Sequence, residues 1–356
     1  MPENFLLSRV LLRFQPNFSA LLQDLSAVTF TPDGSLWVGS DETTHLERLS
    51  PAESCIFDNH CSFNLGDFIT LPNESEEIDI EGLCYQEGYL WVVGSHSPKR
   101  KKAKGKSSED DMERLATLKT EKNRYLLARI PCQNGQLFKS IDDDKFHLNA
   151  ACLETTPTGN LLTDALIDDP HLGLFIKAGI PSKENGFDVE GLAVCGDKVF
   201  LGLRGPVLRG WAVILELQLE ELETGILGLK KIGNQGELYQ KYFLDLNGLG
   251  VRELCFDGED LIILAGPTMT LDGDLRIFRW HQVLNHTEHT LIPQNSEQLE
   301  VLFDLPFKIG GDRAEGLALM SCLGEKESLL VVYDSPAPDR IVEESAVFAD
   351  VFRLKN

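Results

Sequence analysis

One short unit recurs along this chain and restricts its fold more than any other feature: an acidic-Gly-Leu strand opening, a tight turn, and an apolar strand that closes on Gly or Ser. Four copies are plain, reading IDIEGLCYQEGYLWVVGSHS from Ile78, FDVEGLAVCGDKVFLGLRGP from Phe187, GVRELCFDGEDLIILAGP from Gly250 and RAEGLALMSCLGEKESLLVVYDSP from Arg313. A fifth, LSAVTFTPDGSLWVGSDE from Leu25, keeps the turn but has Ser26 where the others carry glutamate. A sixth, FHLNAACLETTPTGNLLTDAL from Phe146, is degenerate and offers only Asn149 at that place. Turn residues such as Asp33-Gly34 and Asp257-Gly258 join two β-rich runs in each unit, which is a hairpin signature. Further strands follow the hairpins at Tyr125 to Ile130, Ala212 to Leu217 and Leu275 to Trp280, giving three or four strands per repeat at periods of about 40 to 70 residues.

These repeats predict an all-β chain, a single β-propeller domain over residues 1–356 with six blades that start near residues 25, 80, 149, 189, 251 and 314. The β-like termini, Phe5 to Phe14 and Ala346 to Leu354, are expected to pair in one blade, since a closed ring leaves no long exposed edge. Residues 98–123 break the pattern as a small charged and partly helical insertion in the second blade. Its basic run of Lys99, Arg100, Lys101, Lys102, Lys104 and Lys106 precedes a helical spacing at Met112, Leu115 and Leu118. A block of like charge reads first as a solvated, mobile loop, and second as a cover of the channel mouth that draws in an anion.

In a propeller the first strand of each blade lines the channel and the second returns antiparallel, so first-strand starts and second-strand ends share one face. Glu81, Glu190, Glu253 and Glu315 open first strands, while Asp41, His96, Arg204 and Asp334 end second strands. All eight are expected around one mouth. Such carboxylates take up protons, pair with Arg204, Arg252 and Arg313, or bind a cation. In the metal reading the four glutamates are ligands for calcium or magnesium, with His96 or Asp334 in proton transfer and Asp41, Arg204, Arg252 and Arg313 on the substrate. The structural alternative is that each glutamate accepts backbone N–H bonds from a neighbouring blade. The Gly-Pro stretch after Ala265 offers Thr268, Thr270 and Asp272 as further pocket residues, or a tight loop.

A net charge of −23 argues against nucleic acid and anionic membranes as partners and leaves a small-molecule or anionic ligand at the mouth, or a protein. The eight cysteines form no CxxC pair and read as reduced, packed residues. Without a signal-peptide pattern or an apolar run of about 20 residues, the expected location is cytoplasmic. GxSxG, P-loop, GxGxxG and HExxH signatures are missing, which removes the sequence support for serine hydrolysis and nucleotide chemistry.

The blocks NGFDVEGLAV, LGLRGPVLRGWA, LAGPTMTLDGDLRIFRW and LLVVYDSP together resemble a bacterial family known as domain of unknown function 3616, from about Leu25 to Leu354. The resemblance implies a propeller-like fold without an established activity. The shorter DVEGLAV element is similar to the repeat of phytase-like esterase propellers that use acidic metal sites. Two functions remain open at this stage: a metal-dependent hydrolase of phosphoester, ester or lactone substrates, and a non-catalytic propeller that binds a ligand or protein.

Overall fold

The computed structural model describes residues 6–142, 147–233, 235–306 and 308–354. Phe5 and Phe146, which open two of the segments read from the sequence, lie outside the described residues. In chain order the main strands are β1 (Leu6–Arg13), β2 (Leu25–Phe30), β3 (Leu36–Ser40), β4 (His45–Glu53), β5 (Ile56–Asn64), β6 (Ile80–Gln86) and β7 (Tyr89–Gly94). The insertion carries β8 (Lys99–Arg100), helix α1 (Ser108–Ala116) and β9 (Leu118–Lys119). Then follow β10 (Leu127–Gln133), β11 (Ala151–Leu153), helices α2 (Leu161–Leu166) and α3 (Gly173–Ala178), β12 (Asp188–Cys195), β13 (Lys198–Leu208), β14 (Trp211–Glu223) and β15 (Gln240–Asp245). The last seven are β16 (Gly250–Asp257), β17 (Asp260–Gly266), β18 (Leu275–Trp280), β19 (Leu299–Leu305), β20 (Arg313–Cys322), β21 (Glu325–Asp334) and β22 (Ala346–Arg353).

These strands form antiparallel units arranged like propeller blades. Unit 1 is β2-β3-β4-β5, unit 3 is β12-β13-β14-β15, unit 4 is β16-β17-β18-β19, and unit 5 is β20-β21-β22-β1. Unit 2 has three full strands, β6-β7-β10, with β11 completing part of its edge. The chain termini close unit 5, because β1 pairs with β22 from Arg9 opposite Asp350 to Arg13 opposite Ala346. The inner strands pack in a ring in the order β2, β6, β12, β16, β20 and back to β2.

Among the described residues five inner strands pack in this ring, and the degenerate repeat around residue 149 adds no sixth to it. Around residue 149 the chain makes only strands of two or three residues, then turns into α2 and α3. The physical reason lies in the sequence after Asn160, where LLTDAL is capped as a helix. The Asn160 side chain accepts from Leu162 N and Thr163 N, and Thr163 Oγ1 accepts from Asn160 N, so the cap takes the place of a second strand.

The acidic-Gly opening has a geometric cause. Each inner strand carries a bulge at one place, so that Ser26, Glu81, Glu190, Arg252 and Glu315 are the extra residues, followed by Ala27, Gly82, Gly191, Glu253 and Gly316. At the residue after the bulge, adjacent inner strands touch. A Cβ on Gly82 would lie 2.7 Å from Leu192 Cβ, and one on Gly191 2.8 Å from Leu254 Cγ. Glycine is required there by the closeness of the neighbouring strand. Around this ring Leu, Val and Ile of facing sheets fill the cores between units. No helix in the described residues is long and apolar enough to cross a membrane.

Candidate functional site at the channel mouth

The bulges fix which side chains the inner strands present to the channel. In units 2, 3 and 5 the extra residue is Glu81, Glu190 or Glu315, as the repeat register predicts. Unit 4 departs from it by one residue: Arg252 occupies the glutamate place, and Glu253 falls on the glycine place. The Glu253 carboxyl is fully buried between two inner strands, where Oε1 accepts from Leu192 N at 3.1 Å and Leu254 N at 2.9 Å. That is the interstrand bond expected of a structural glutamate. Burial is the main reason its pKa stands well above the usual carboxylate range.

Arg252 changes the charge of the ring. Its Nε lies 2.9 Å from Glu190 Oε2, and its Nη2 pairs with Glu315. Arg204, from the end of β13, reaches the same glutamate, with Nη1 2.5 Å from Glu190 Oε1 and Nε donating to Thr268 O at 3.0 Å. Burial opposes the charge on Arg204, but Glu190 and Asp188 outweigh it and hold the guanidinium above its ordinary pKa. Ser26, at the fifth place, donates to Ile80 O of the neighbouring inner strand.

The other candidates from second-strand ends separate. Asp334 stays at the mouth, with Oδ2 3.6 Å from Arg313 Nη1 and Oδ1 accepting from Ser335 Oγ. Asp41 also stays there, and Oδ1 is sealed from solvent without a hydrogen bond. Burial first, then the charges of Asp79, Glu315, Asp334 and Asp24, push its pKa up to about 9. His96 turns away. Its Nδ1–H donates to Gly94 O at 2.7 Å and its Nε2 accepts from Asn160 Nδ2 at 2.8 Å, so both ring nitrogens are engaged under a separate cavity bounded by α2 and α3. Burial lowers its pKa to about 4, which keeps the ring neutral.

Two cations at the mouth carry no repeat signal. Arg124, at the exit of the insertion, pairs with Asp79 and lies 3.5 Å from Glu77, while its Nε donates to Ser97 O. Lys183 lines the cleft from the loop before β12. Of the basic run that reads as a solvated loop, Lys101, Lys102, Lys104 and Lys106 are exposed, while its first two members are held by partners. Lys99 pairs with Glu77 and Glu121, Arg100 pairs with Glu184 and donates to Leu115 O, and the Ser107 side chain caps α1. Met112 and Leu115 remain exposed, so α1 buries no apolar face.

At this mouth lies a small, open cleft of about 60 Å³. Lys183, Arg204, Arg252, Arg313, Glu315 and Asp334 line it, with Thr270 and Asp272 contributing from the loop after β17. Thr268 takes part only through its carbonyl on Arg204. Among the described residues no three His, Cys, Asp or Glu side chains converge as a metal-holding group. Glu190 and Glu315 are engaged by arginine and Glu253 by backbone, so Glu81 alone of the four predicted ligands has no hydrogen-bond or ion-pair partner among the described residues.

Fold and mouth together define an all-β, propeller-like protein with charged side chains from all its inner strands or their return strands gathered at one end of a channel. The chain belongs to the family described as protein of unknown function (DUF3616), whose model matches residues 24–350. No curated protein matches it in sequence. Solved structures that resemble it include streptogramin B lyase, at 9% identity over 98% of both chains with a TM-score of 0.38. A putative gluconolactonase shares 11% identity over 93% of this chain and 75% of its own, with a TM-score of 0.39. The PQQ-bound aldose sugar dehydrogenase from Streptomyces coelicolor shares 12% over 97% and 98%, with a TM-score of 0.36.

Proposed function

We propose that the protein binds a small anionic molecule in the cleft at the channel mouth, through Arg204 and Arg252. One observation carries this reading. The carboxylates beside these arginines hold each guanidinium by one side, and Arg204 Nη2 and Arg252 Nη1 have no partner among the described residues. Both side chains are nearly buried, at 5% and 7% exposure, and both line the cleft. A guanidinium fixed before the ligand arrives loses little entropy on binding and offers planar donors to carboxylate or phosphate. Lys183 and Arg313 stand nearer solvent and add to the local attraction in a chain that is otherwise strongly acidic.

The test is calorimetric titration with inorganic phosphate, acetate and hexanoate in chloride-free buffer. Saturable binding that weakens several-fold in Arg313→Gln, an exposed site, and is lost in Arg252→Gln with circular dichroism unchanged supports the reading. Affinities that are the same in both variants would remove it.

A second reading, a metal-dependent hydrolase of phosphoester, ester or lactone substrates, has a specific observation in its favour. Asp188 is 1% exposed, and neither of its carboxylate oxygens has a hydrogen-bond partner. A calcium or magnesium ion drawn to Asp188 and Glu81 would satisfy them and supply Lewis-acid activation of a bound ester, with Asp334 in proton transfer. A chelator-induced drop in melting temperature, restored by one divalent ion, together with hydrolysis of a generic ester or phosphoester, is the result expected of that reading.

A further inference from the structure

The helix pair that takes the place of a second strand in the third repeat is firmly held. Asp169, between α2 and α3, accepts from His171 N at 2.9 Å and Leu172 N at 3.0 Å and pairs with Lys241 of β15, which fixes the pair against unit 3. The loop after α3 is joined to the start of the insertion, where Ser182 N donates to Pro98 O at 3.4 Å. Between the two helices, β9 of the insertion and the segment before β10 lies a cavity of about 490 Å³, a size ordinary for small-molecule sites. It shares no lining residue with the arginine cleft at the channel mouth.

Its walls are mainly apolar: Leu118 from the insertion, Ile167, Phe175 and Ile176 from the helices, and Ile180 and Phe187 from the approach to β12. Leu118 is 44% exposed, and Phe175 and Ile176 are only half-buried, so the protein leaves part of this apolar lining to be covered by something else. Most of the polar side chains that reach the cavity are already engaged. Both nitrogens of His96 are taken, Thr163 Oγ1 donates to Asn160 O at 2.9 Å, Thr158 Oγ1 donates to Asp164 Oδ1 at 3.2 Å, and Lys177 Nζ donates to Asp168 at 2.7 Å. Tyr125 is the exception toward the interior. Its ring is fixed by the edge of His96, with centroids 5.9 Å apart, and by Gly159, where a Cβ would lie 3.0 Å from Tyr125 Cδ1. Its Oη has no hydrogen-bond partner among the described residues.

We propose that this cavity is a second binding site, for an uncharged alicyclic or aromatic molecule that carries one hydroxyl or carbonyl group, with that oxygen on Tyr125 Oη and the hydrocarbon between Leu118 and α3. A phenol hydroxyl both donates and accepts, so it suits either group. Charge is excluded by the same inventory. The histidine in the cavity is neutral and saturated, and Lys177 and Asp164 are exposed side chains already paired with neighbours, so an ion buried here would lose its water without gaining a counter-charge. The site is independent of the anion reading of the channel mouth.

The experiment is calorimetry on the full chain at pH 7 with 4-methylcyclohexanol, 4-methylphenol and 2-naphthol, set against the anions 4-methylbenzoate and 2-naphthoate. At least one neutral probe should bind saturably at one site, and 4-methylphenol or 2-naphthol should bind about tenfold or more tightly than its matched anion. Tyr125→Phe keeps the ring and removes a hydroxyl that no protein group uses, so the fold should be untouched while the best probe weakens about three- to tenfold. Ile176→Trp, which fills the cavity from α3, should abolish binding with circular dichroism unchanged; should that variant fail to fold, Tyr125→Phe alone decides. Absence of saturable binding by all three neutral probes overturns the site. Binding that neither variant alters places the probe elsewhere and overturns it too. Anions that bind as tightly as their neutral partners overturn the ligand class.

Discussion

Asp41 offers a direct measurement of the strain that the mouth stores as charge. Its carboxyl titrates at about 9 in the folded protein against an ordinary value of 3.8, through burial and the neighbouring charges of Asp79, Glu315, Asp334 and Asp24. A group whose pKa is raised by folding contributes its full stability below the unfolded value, and that contribution is lost as pH rises toward the folded value. Between pH 5 and pH 8 the folded side chain keeps its proton and the unfolded one does not, so each pH unit lowers the unfolding free energy by about 1.4 kcal/mol. Over three units the ceiling is about 4 kcal/mol, and water in the open mouth reduces the expected share to about 2 kcal/mol. Asp41→Asn removes this share while preserving shape. Urea unfolding of both proteins at pH 5, 6, 7 and 8 in constant salt should show curves that diverge, the variant losing less stability as pH rises. Wild-type and variant curves that stay parallel to within about 0.5 kcal/mol, the scatter of an inert surface change, would refute the claim that Asp41 is held against its charge.

Other outcomes follow from the same geometry. Gly82→Ala should destabilise by about 1 to 3 kcal/mol in urea, because its Cβ would meet Leu192 of the next inner strand at 2.7 Å. Glu253→Gln should leave stability within about 1 kcal/mol and ligand binding unchanged, since the side chain serves as an acceptor for two backbone N–H groups. Glu253→Ala, which orphans both donors, should cost more than the glutamine change by about 1 to 3 kcal/mol. Raising sodium chloride from low to molar concentration should speed amide exchange over residues 99–119 far more than in β12, because Lys99 and Arg100 hold the insertion by ion pairs that salt screens.

The repeat itself, its hairpins and the pairing of the two termini were legible because each follows from local pattern: alternation, turn chemistry and a glycine spaced at one place per unit. The same pattern located Glu81, Glu190 and Glu315, and the strand ends brought Asp41, Arg204 and Asp334 to the mouth. Sequence alignment of the repeats put Glu253 with the other glutamates, yet a bulge adds one residue to a strand without leaving a composition signal, and a shift of one place sends a side chain to the opposite face. His96 was lost to the channel for a related reason: its backbone takes a left-handed turn, φ 57°, after Gly94, and Asn160 from a distant segment captures the ring.

What the linear order of residues determined, then, was an all-β chain of radial hairpins with acid near the channel and a charged insertion in the second unit. Only the tertiary structure decided that, among the described residues, five inner strands pack in a ring, that Arg252 and not Glu253 faces Glu190, and that Arg124 arrives from the insertion to pair with Asp79. Strand period and turn type are set by neighbours along the chain. Charge compensation is set by neighbours across it, and the partners of a buried carboxylate become known only when separate strands are brought within hydrogen-bond distance.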